Sequence, residues 1–173
     1  MDTDVYYLLK DIKEKYGARR FGHICQNLLA LALNEIFKTK DMEVRNVEGV
    51  DIVIENPKYA IEVKTTSKSK INFAKKDFEG LEDYKNRGYE SFLAVLSINM
   101  NAEWMFISVE RLRHSGSYSI GRFYTDNKYK KFASQAQKYF EDIVKKYYER
   151  ISSEGERVLI ESLREKGLKY SGE

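Results

Sequence analysis

Residues 51–64 read Asp51-Ile-Val-Ile-Glu-Asn-Pro-Lys-Tyr-Ala-Ile-Glu-Val-Lys64. Large apolar residues alternate with charged or smaller residues at both ends of this segment, and a period of two predicts β-strands. The Glu-Asn-Pro-Lys segment between them favours a turn, because Pro lacks the amide hydrogen that a strand ladder needs. The segment therefore predicts an antiparallel hairpin.

The register of this hairpin decides which side chains share a face. A turn centred on Asn56 and Pro57 places Asp51 directly opposite Glu62. Residues opposite each other point the same way, with Cβ atoms about 4.5–5.5 Å apart. Lys64 lies two residues beyond Glu62 and projects from the same face. Two carboxylates and an ammonium are thus predicted at one spot. The other face is apolar and carries Ile52, Ile54, Ile61 and Val63.

Two carboxylates this close predict a cation site. They repel each other, and a hard divalent ion with oxygen ligands relieves the repulsion. Mg²⁺ is the predicted ion, with Mn²⁺ as the alternative. The competing interpretation is a solvated hairpin face on which Lys64 makes an ion pair and nothing more. Glu62 and Lys64 interrupt a strand that otherwise reads as apolar, and charges there need a reason, which favours the cation site.

The spacing of these charges resembles a known family. Asp51, ten further residues and then Glu62-Val63-Lys64 are similar to the signature of the PD-(D/E)xK nuclease superfamily, with Val50 in place of the usual Pro. Over roughly residues 20–110, the order of segments resembles the archaeal Holliday-junction resolvases. The matching segments are Lys58-Tyr59, Thr66, Lys68, Lys76-Asp77, Leu81, Arg87-Gly88, Leu93-Ala94-Val95 and residues 104–109.

The resemblance implies a restriction-endonuclease-like α/β fold, in which helices flank a mixed central β-sheet. It implies a Mg²⁺-dependent DNA endonuclease in which Asp51, Glu62 and the backbone carbonyl of Val63 bind the ion while Lys64 assists catalysis. Junction DNA is the expected substrate. Cutting opposed strands needs two sites related by a two-fold axis, so a homodimer is expected. The alternatives are a sequence-specific restriction-type endonuclease and a catalytically weakened DNA-binding module of the same fold.

One position departs from the family pattern. The resolvases carry a catalytic, metal-binding Glu four residues after a Gly on the preceding helix, and counting from Gly22 places Gln26 there. An amide oxygen binds metals, but losing one negative charge is expected to weaken Mg²⁺ affinity. Glu35 is a weaker candidate for the missing acid, because it falls inside the apolar arc of the helix, where an unpaired carboxylate is costly. Glu48 is disfavoured, since three residues from Asp51 along a strand it would face the other way.

Cations and hydroxyls that follow the hairpin are predicted to contact DNA phosphates. The predicted DNA-binding residues are Thr66, Lys68, Lys70, Lys75 and Lys76, and Thr65 and Ser67 add further hydroxyls. A solvated lysine-rich loop is the alternative. Residues 111–127 form a second basic and aromatic segment, which either follows a nucleic-acid backbone or is an ordinary surface connection.

Composition indicates an ordinary soluble protein. The 173 residues are 42% hydrophobic and 33% charged, and a net charge of +3 is too small to indicate nucleic acid by itself. Cys25 is the only cysteine and is expected to be a buried thiol; with two histidines, the chain has no zinc cluster. No apolar run approaches the roughly 20 residues that cross a bilayer, and the N-terminus lacks a signal segment. We therefore expect a cytosolic protein without a membrane partner.

Hydrophobic spacing predicts the remaining elements. Helices are expected up to Gly17, over 19–38 and 77–86, and in the C-terminal region over 132–151 and 152–166. Strands are expected over 42–45, 91–97 and 104–109. No Pro- or Gly-rich linker interrupts the chain, so residues 1–173 are expected to form a single nuclease-like domain. Its core spans about residues 20–110, and 111–173 add the basic loop and a C-terminal helical extension.

Overall fold

The computed structural model describes residues 1–98 and 103–172, and a six-stranded sheet lies at its centre. The strands in the described residues are β1 (Met42–Arg45), β2 (Ile52–Ile54), β3 (Tyr59–Thr66), β4 (Lys70–Phe73), β5 (Glu90–Ser97), β6 (Trp104–Ser108), β7 (Gly116–Ser119) and β8 (Lys169–Ser171). The order in the central sheet is β6-β5-β3-β2-β1-β8. The pairs β3/β5 and β1/β8 are parallel, and the other neighbours are antiparallel.

Helices cover both faces of this sheet. They are α1 (Thr3–Phe37), α2 (Lys75–Asn86), α3 (Lys130–Glu154) and α4 (Arg157–Glu165), with short 3₁₀ turns at Val109–Arg111, Ile120–Arg122 and Asn127–Tyr129. The first, third and fourth helices pack together on one face, and α2 packs on the other, so that each face has its own apolar cluster. The predicted mixed sheet flanked by helices is confirmed.

The hairpin of β2 and β3 has the predicted register. The pairs are Ile52 with Ile61, Val53 with Ala60, and Ile54 with Tyr59. Continued by one residue, the same register sets Asp51 opposite Glu62. Both faces are buried, because the isoleucines pack in the cluster of α1 and Val53 and Ala60 pack in the cluster of α2. The alternative of a solvated hairpin face is therefore wrong.

The helix α1 consists of two segments that meet at Gly17, as the sequence predicts. Gly17 has φ 76° and ψ 167°, outside the helical region. Glycine adopts this positive φ without a steric cost. The segment after the kink is apolar on most of its surface, and Cys25 is fully buried in it. This segment packs directly against the central sheet and so carries the residues that reach the hairpin.

Three of the observed strands were not predicted from the sequence. The predicted loops contain β4 and β7, which pair antiparallel, and Ile71 and Phe73 turn inward from β4 into the α2 cluster. The C-terminal residues form β8, which completes the central sheet beside β1. The last helix begins at Arg157, later than predicted, because Gly155 with φ 71° ends α3. Within the described parts of the chain, no helix has the length and apolar character needed to span a membrane.

Candidate active site

A cleft of about 450 Å³ lies between α1, the hairpin and the start of α2. Asp51, Glu62, Val63 and Lys64 line it from the hairpin, as predicted. The residues contributed by α1 are Arg19, Gly22, His23 and Gln26, whose spacing of three and four places them on one helical face. The remaining walls come from residues 46–49 and from Lys76 and Asp77 at the start of α2. We call this space the acidic cleft.

At the end of the hairpin, the carboxylate of Asp51 accepts a hydrogen bond from a backbone amide, as a strand carbonyl would. The amide of Val63 donates to Oδ2 of Asp51 at 2.7 Å, and the amide of Asp51 donates to the carbonyl of Ile61 at 3.1 Å. These contacts fix the direction of the side chain. Burial raises the pKa of Asp51 although the hydrogen bond from Val63 and the charge of Lys64 act in the opposite direction.

Glu62 is the most deeply buried of the hairpin charges, with 3% of its surface exposed. Its Oε1 accepts a hydrogen bond from Lys64 at 2.6 Å. Its Oε2 is buried and meets no donor among residues 1–98 and 103–172. Burial and the neighbouring Asp51 carboxylate raise the pKa of Glu62. A buried carboxylate oxygen without a donor is costly, and a cation at this oxygen would remove the cost.

The ammonium of Lys64 lies between two carboxylates. Its Nζ is 2.6 Å from Glu62 and 2.8 Å from Asp77. Asp77 lies in the first turn of α2, where the helix dipole favours negative charge, and only 10% of its side chain is exposed. Burial alone disfavours the charged ammonium, but the two carboxylates outweigh it and raise the pKa of Lys64. Lys64 is therefore protonated at neutral pH.

Gln26 lines the acidic cleft, and the backbone orients its amide. Nε2 donates to the carbonyl of Arg45 at 2.8 Å and more weakly to that of Asp51 at 3.4 Å. Both contacts use the nitrogen, so the oxygen of the amide is the atom that can face a cation. Gln26 thus lies beside Asp51 in the acidic cleft.

The structure corrects the expectations for two other acids. Glu35 lies outside the acidic cleft near the end of α1, where ion pairs with Lys38 and Lys166 lower its pKa to about 2. It is not a substitute acid, because these lysines satisfy its charge. Glu48 lies at the rim of the cleft, 2.6 Å from Lys76. The strand argument fails for Glu48 because residues 46–51 form a loop.

The predicted DNA contacts lie around the acidic cleft, and of the five residues only Lys76 lines it. Thr66 and Lys68 line a neighbouring pocket of about 140 Å³. Lys70 is exposed on β4, and Lys75 is exposed and pairs with Glu79 at 3.4 Å. The structure therefore spreads these residues along the end of β3 and the start of α2.

Three residues that line the acidic cleft were not predicted from the sequence, and they are Arg19, His23 and Asp77. Arg19 and His23 share a helical face with Gln26, and that spacing is a signal that identifies them once Gln26 is assigned. Arg19 is exposed and forms no ion pair with the residues that the structure describes. Asp77 has no comparable signal, because its approach to Lys64 depends on the path of the chain through β4.

The acidic cleft fits a divalent cation that takes few of its ligands from the protein. Among the described residues, no three His, Cys, Asp or Glu side chains are grouped so that they could hold a metal ion. Mg²⁺, however, is usually bound by one or two carboxylates and completes its shell with waters and phosphate oxygens. Asp51 and Glu62 form such a pair, and Oε2 of Glu62 has no competing donor among the described residues. The residues therefore fit Mg²⁺ or Mn²⁺ shared with a substrate phosphate.

Asp51→Asn is expected to stabilise the metal-free protein at pH 8, by about 1 kcal/mol, and to have no such effect at pH 4. Burial raises the pKa of Asp51 in the folded protein above the value of about 3.9 in the unfolded chain. Ionising this group therefore costs stability. The cost is absent below the unfolded pKa, grows as pH rises from the unfolded to the folded pKa, and is constant above the folded one.

Urea unfolding in EDTA at pH 4, 6 and 8 measures this difference. Asp83→Asn is the matched control, because Asp83 is an exposed acid of α2 whose contact with Arg87 is 3.4 Å long. That control is expected to change the free energy of unfolding by less than about 0.5 kcal/mol at each pH. A difference between wild type and Asp51→Asn that does not grow with pH would contradict the prediction.

Comparison with solved structures gives a structural neighbour of this chain. The sequence matches no protein-family model and no curated protein. The chain is similar to the solved structure of Archaeoglobus fulgidus Hjc, a Holliday junction resolvase from an archaeal hyperthermophile. The two chains share 20% sequence identity, and the alignment covers 54% of this chain and 82% of that chain with a TM-score of 0.40. At that TM-score the functional assignment rests on the acidic cleft and not on the neighbour.

Proposed function

We propose that the protein is a metal-dependent endonuclease that hydrolyses phosphodiester bonds in DNA. The observation that carries the proposal is a pair of mutually repelling carboxylates, the buried Glu62 and the half-buried Asp51, beside an ammonium that contacts two acids. A protein that only binds DNA has no evident use for two carboxylates next to phosphates, because they repel the ligand. A hydrolase uses them to hold the cation that its substrate needs.

Asp51 and Glu62 would hold the cation, with the backbone carbonyl of Val63 and the amide oxygen of Gln26 as neutral ligands. Mg²⁺ is the proposed ion, and Mn²⁺ would replace it. A bound ion of this kind supplies a water of lowered pKa and neutralises charge on the scissile phosphate. Since Gln26 carries no charge, the affinity for Mg²⁺ is expected to be lower than that of a site with three acids.

The ammonium of Lys64 would stabilise the negative charge that develops on the phosphate during hydrolysis. Asp77 acts as a positioning residue, because its carboxylate is a second partner of the ammonium, 2.8 Å from Nζ of Lys64, beside Glu62 at 2.6 Å. Arg19 lies at the mouth of the same cleft and makes no ion pair with the described residues, so its guanidinium can bind a phosphate oxygen of the substrate. Lys76 and the residues from Thr66 to Lys75 would extend these contacts along the DNA backbone.

Branched DNA, and a four-way junction in particular, is the proposed substrate. The support is the order of sequence segments that resembles the archaeal resolvases. Symmetric cleavage of a junction requires a homodimer with two acidic clefts related by a two-fold axis. A restriction-type endonuclease is the second candidate, and it has the same cleft chemistry. A weakened DNA-binding module is the third, and the neutral Gln26 is the observation that favours it.

Cleavage of a labelled four-way junction and of linear duplexes of varied sequence, in Mg²⁺, Mn²⁺ or EDTA, tests this proposal. We expect symmetric nicks in the junction with either metal and none in EDTA. Cuts at a fixed duplex sequence would select the restriction-type enzyme. Binding without cleavage in both metals would overturn the nuclease proposal and leave the binding module.

A further inference from the structure

A second cleft, larger than the acidic one, lies on a neighbouring face of α1. It has a volume of about 560 Å³ and lies between the kink of α1, the junction of α3 with α4, and β8. Three arginines line it, Arg20 from α1 and Arg157 and Arg164 from α4, between the rings of Tyr16 and Tyr170. We call this space the arginine cleft.

Two of these arginines are available to an external anion. Arg157 pairs with Glu154 and Glu161 at 3.4–3.6 Å. Arg20 and Arg164 are both exposed, and within residues 1–98 and 103–172 neither has a carboxylate within ion-pair distance. The guanidinium of Arg164 lies over the ring of Tyr170, 5.9 Å from its centroid. A guanidinium without a paired carboxylate keeps its planar fork of donors for a ligand, and that fork matches the geometry of a phosphate group.

The acids of the arginine cleft are already engaged. Glu154 is held by Arg150 at 3.2 Å and by Arg157 at 3.6 Å. Glu156 accepts a hydrogen bond from Asn27 at 3.0 Å, and burial raises the pKa of its carboxyl group. The charge of Arg20 acts on this pKa in the opposite direction, so Glu156 offsets part of that charge, whereas no carboxylate of the described residues lies within ion-pair distance of Arg164.

The two clefts adjoin each other through α1 and the C-terminal strand. Arg19 and His23 line the acidic cleft, and Arg20 and Ile24, the next residue in each case, line the arginine cleft. Beyond the helix, Gly172 of the arginine cleft is in close contact with Asn46 of the acidic cleft. A Cβ atom added to Gly172 would lie only 2.8 Å from the backbone oxygen of Asn46. A DNA strand that leaves the acidic cleft on this side would therefore reach Arg20 and Arg164.

We propose that the arginine cleft binds a backbone phosphate of the DNA strand whose scissile bond lies in the acidic cleft. Because the clefts lie on neighbouring faces of one helix, the contacted phosphate belongs to a nucleotide near the scissile bond. Arg20 and Arg164 donate to its oxygens. The inference rests on the proposed function for the identity of the ligand, but its contacts form without any chemical step.

Binding of a fluorescein-labelled DNA junction, followed by anisotropy in EDTA over a series of salt concentrations, tests the arginine cleft. We expect Arg20→Ala and Arg164→Ala each to weaken binding by about tenfold. Each is also expected to reduce the salt slope by about 1, as the loss of one phosphate contact requires. Arg164→Lys keeps the charge but loses the fork, and we expect it to keep the salt slope while binding less tightly than wild type.

Lys131→Ala is the matched control. The substitution removes one exposed positive charge near the start of α3, and Lys131 lines neither cleft. Lys131 lies 22 residues before Ser153, which is the first residue of α3 that lines the arginine cleft. We expect it to leave affinity within about twofold of wild type. Equal losses in Lys131→Ala and the two arginine variants would mean that net charge alone is measured, and would overturn the proposal.

The same variants separate this inference from the proposed function. With Mg²⁺ present, we expect both alanine variants to raise KM and to keep kcat, because the acidic cleft is intact. A wild type that cuts DNA, together with arginine variants of unchanged affinity and salt slope, would overturn the arginine cleft alone. A wild type that never cuts, together with variants that bind weakly, would overturn the nuclease proposal and leave the arginine cleft standing.

Discussion

Glu62→Gln is expected to lower the rate of metal-dependent DNA cleavage by roughly a thousandfold. The substitution keeps the shape of the side chain and removes the charge that would hold the cation. It also replaces the charged acceptor that is 2.6 Å from Lys64 with a neutral amide, which leaves Asp77 as the remaining carboxylate beside the ammonium. Cleavage of a labelled junction under single-turnover conditions measures the loss.

Metal binding gives a second readout for Glu62 that is independent of catalysis. An ion that binds the folded protein alone raises its melting temperature, and the rise grows with the logarithm of the ratio of ion concentration to Kd. We expect Mg²⁺ to raise the melting temperature of wild type and not that of Glu62→Gln. Glu48→Gln is the matched control, the same chemical change at the rim of the same cleft, where Glu48 is 82% exposed. A variant of Glu62 that keeps both the thermal shift and cleavage would contradict the proposed metal site.

Lys64→Met is expected to lower kcat by about 10²–10³-fold while DNA binding changes little. Methionine keeps the length of the side chain but cannot stabilise charge on the phosphate. Without the ammonium, Glu62 and Asp77 lose their shared partner inside the cleft, so the free energy of unfolding at pH 8 is expected to fall by about 2 kcal/mol. Single-turnover cleavage and urea unfolding measure the two effects separately.

Two neighbouring substitutions show whether the position of Lys64 matters. Lys76→Met removes an ammonium that pairs with Glu48 at the rim of the same cleft, and we expect it to raise KM and to leave kcat within about threefold. Asp77→Ala leaves Lys64 in place without its second acid, and a loss in kcat of about tenfold is expected. If Lys64→Met behaved like Lys76→Met, with an effect on KM alone, Lys64 would be a binding residue and not a catalytic one.

The hairpin was predictable because it is local. Alternation of apolar and charged residues sets the faces of β2 and β3, and the turn at Asn56 and Pro57 sets their register, so Asp51 and Glu62 follow from numbering alone. The kink of α1 at Gly17 was predictable for the same reason, since glycine ends the apolar stripe. By contrast, β4 and β7 pair across more than forty residues, and neither strand has a recognisable pattern without the other.

The candidate site residues differ in predictability for the same reason, since some depend on local sequence and others on distant segments. Gln26 was found by counting from Gly22, because both lie on one helix. Glu35 was misjudged, because the position of Lys166 near it depends on how α4 packs against α1. Asp77 was missed, because its contact with Lys64 depends on the path of β4 back to the sheet. Each error concerns a charge whose partner lies on a different element.

The sequence by itself determined the pair of carboxylates and the lysine beside them, because a period of two places side chains on faces without reference to the rest of the chain. The helical position of Gln26 followed from the resemblance to the archaeal resolvases. Only the tertiary structure decided how those charges are satisfied. Asp77 forms an ion pair with Lys64, and Oε2 of Glu62 is buried without a donor among the described residues. The packing of α4 and β8 also brings Arg164 into the same cleft as Arg20. The physical reason is that burial and ion pairing depend on what packs around a group, and those neighbours come from segments far apart in the chain.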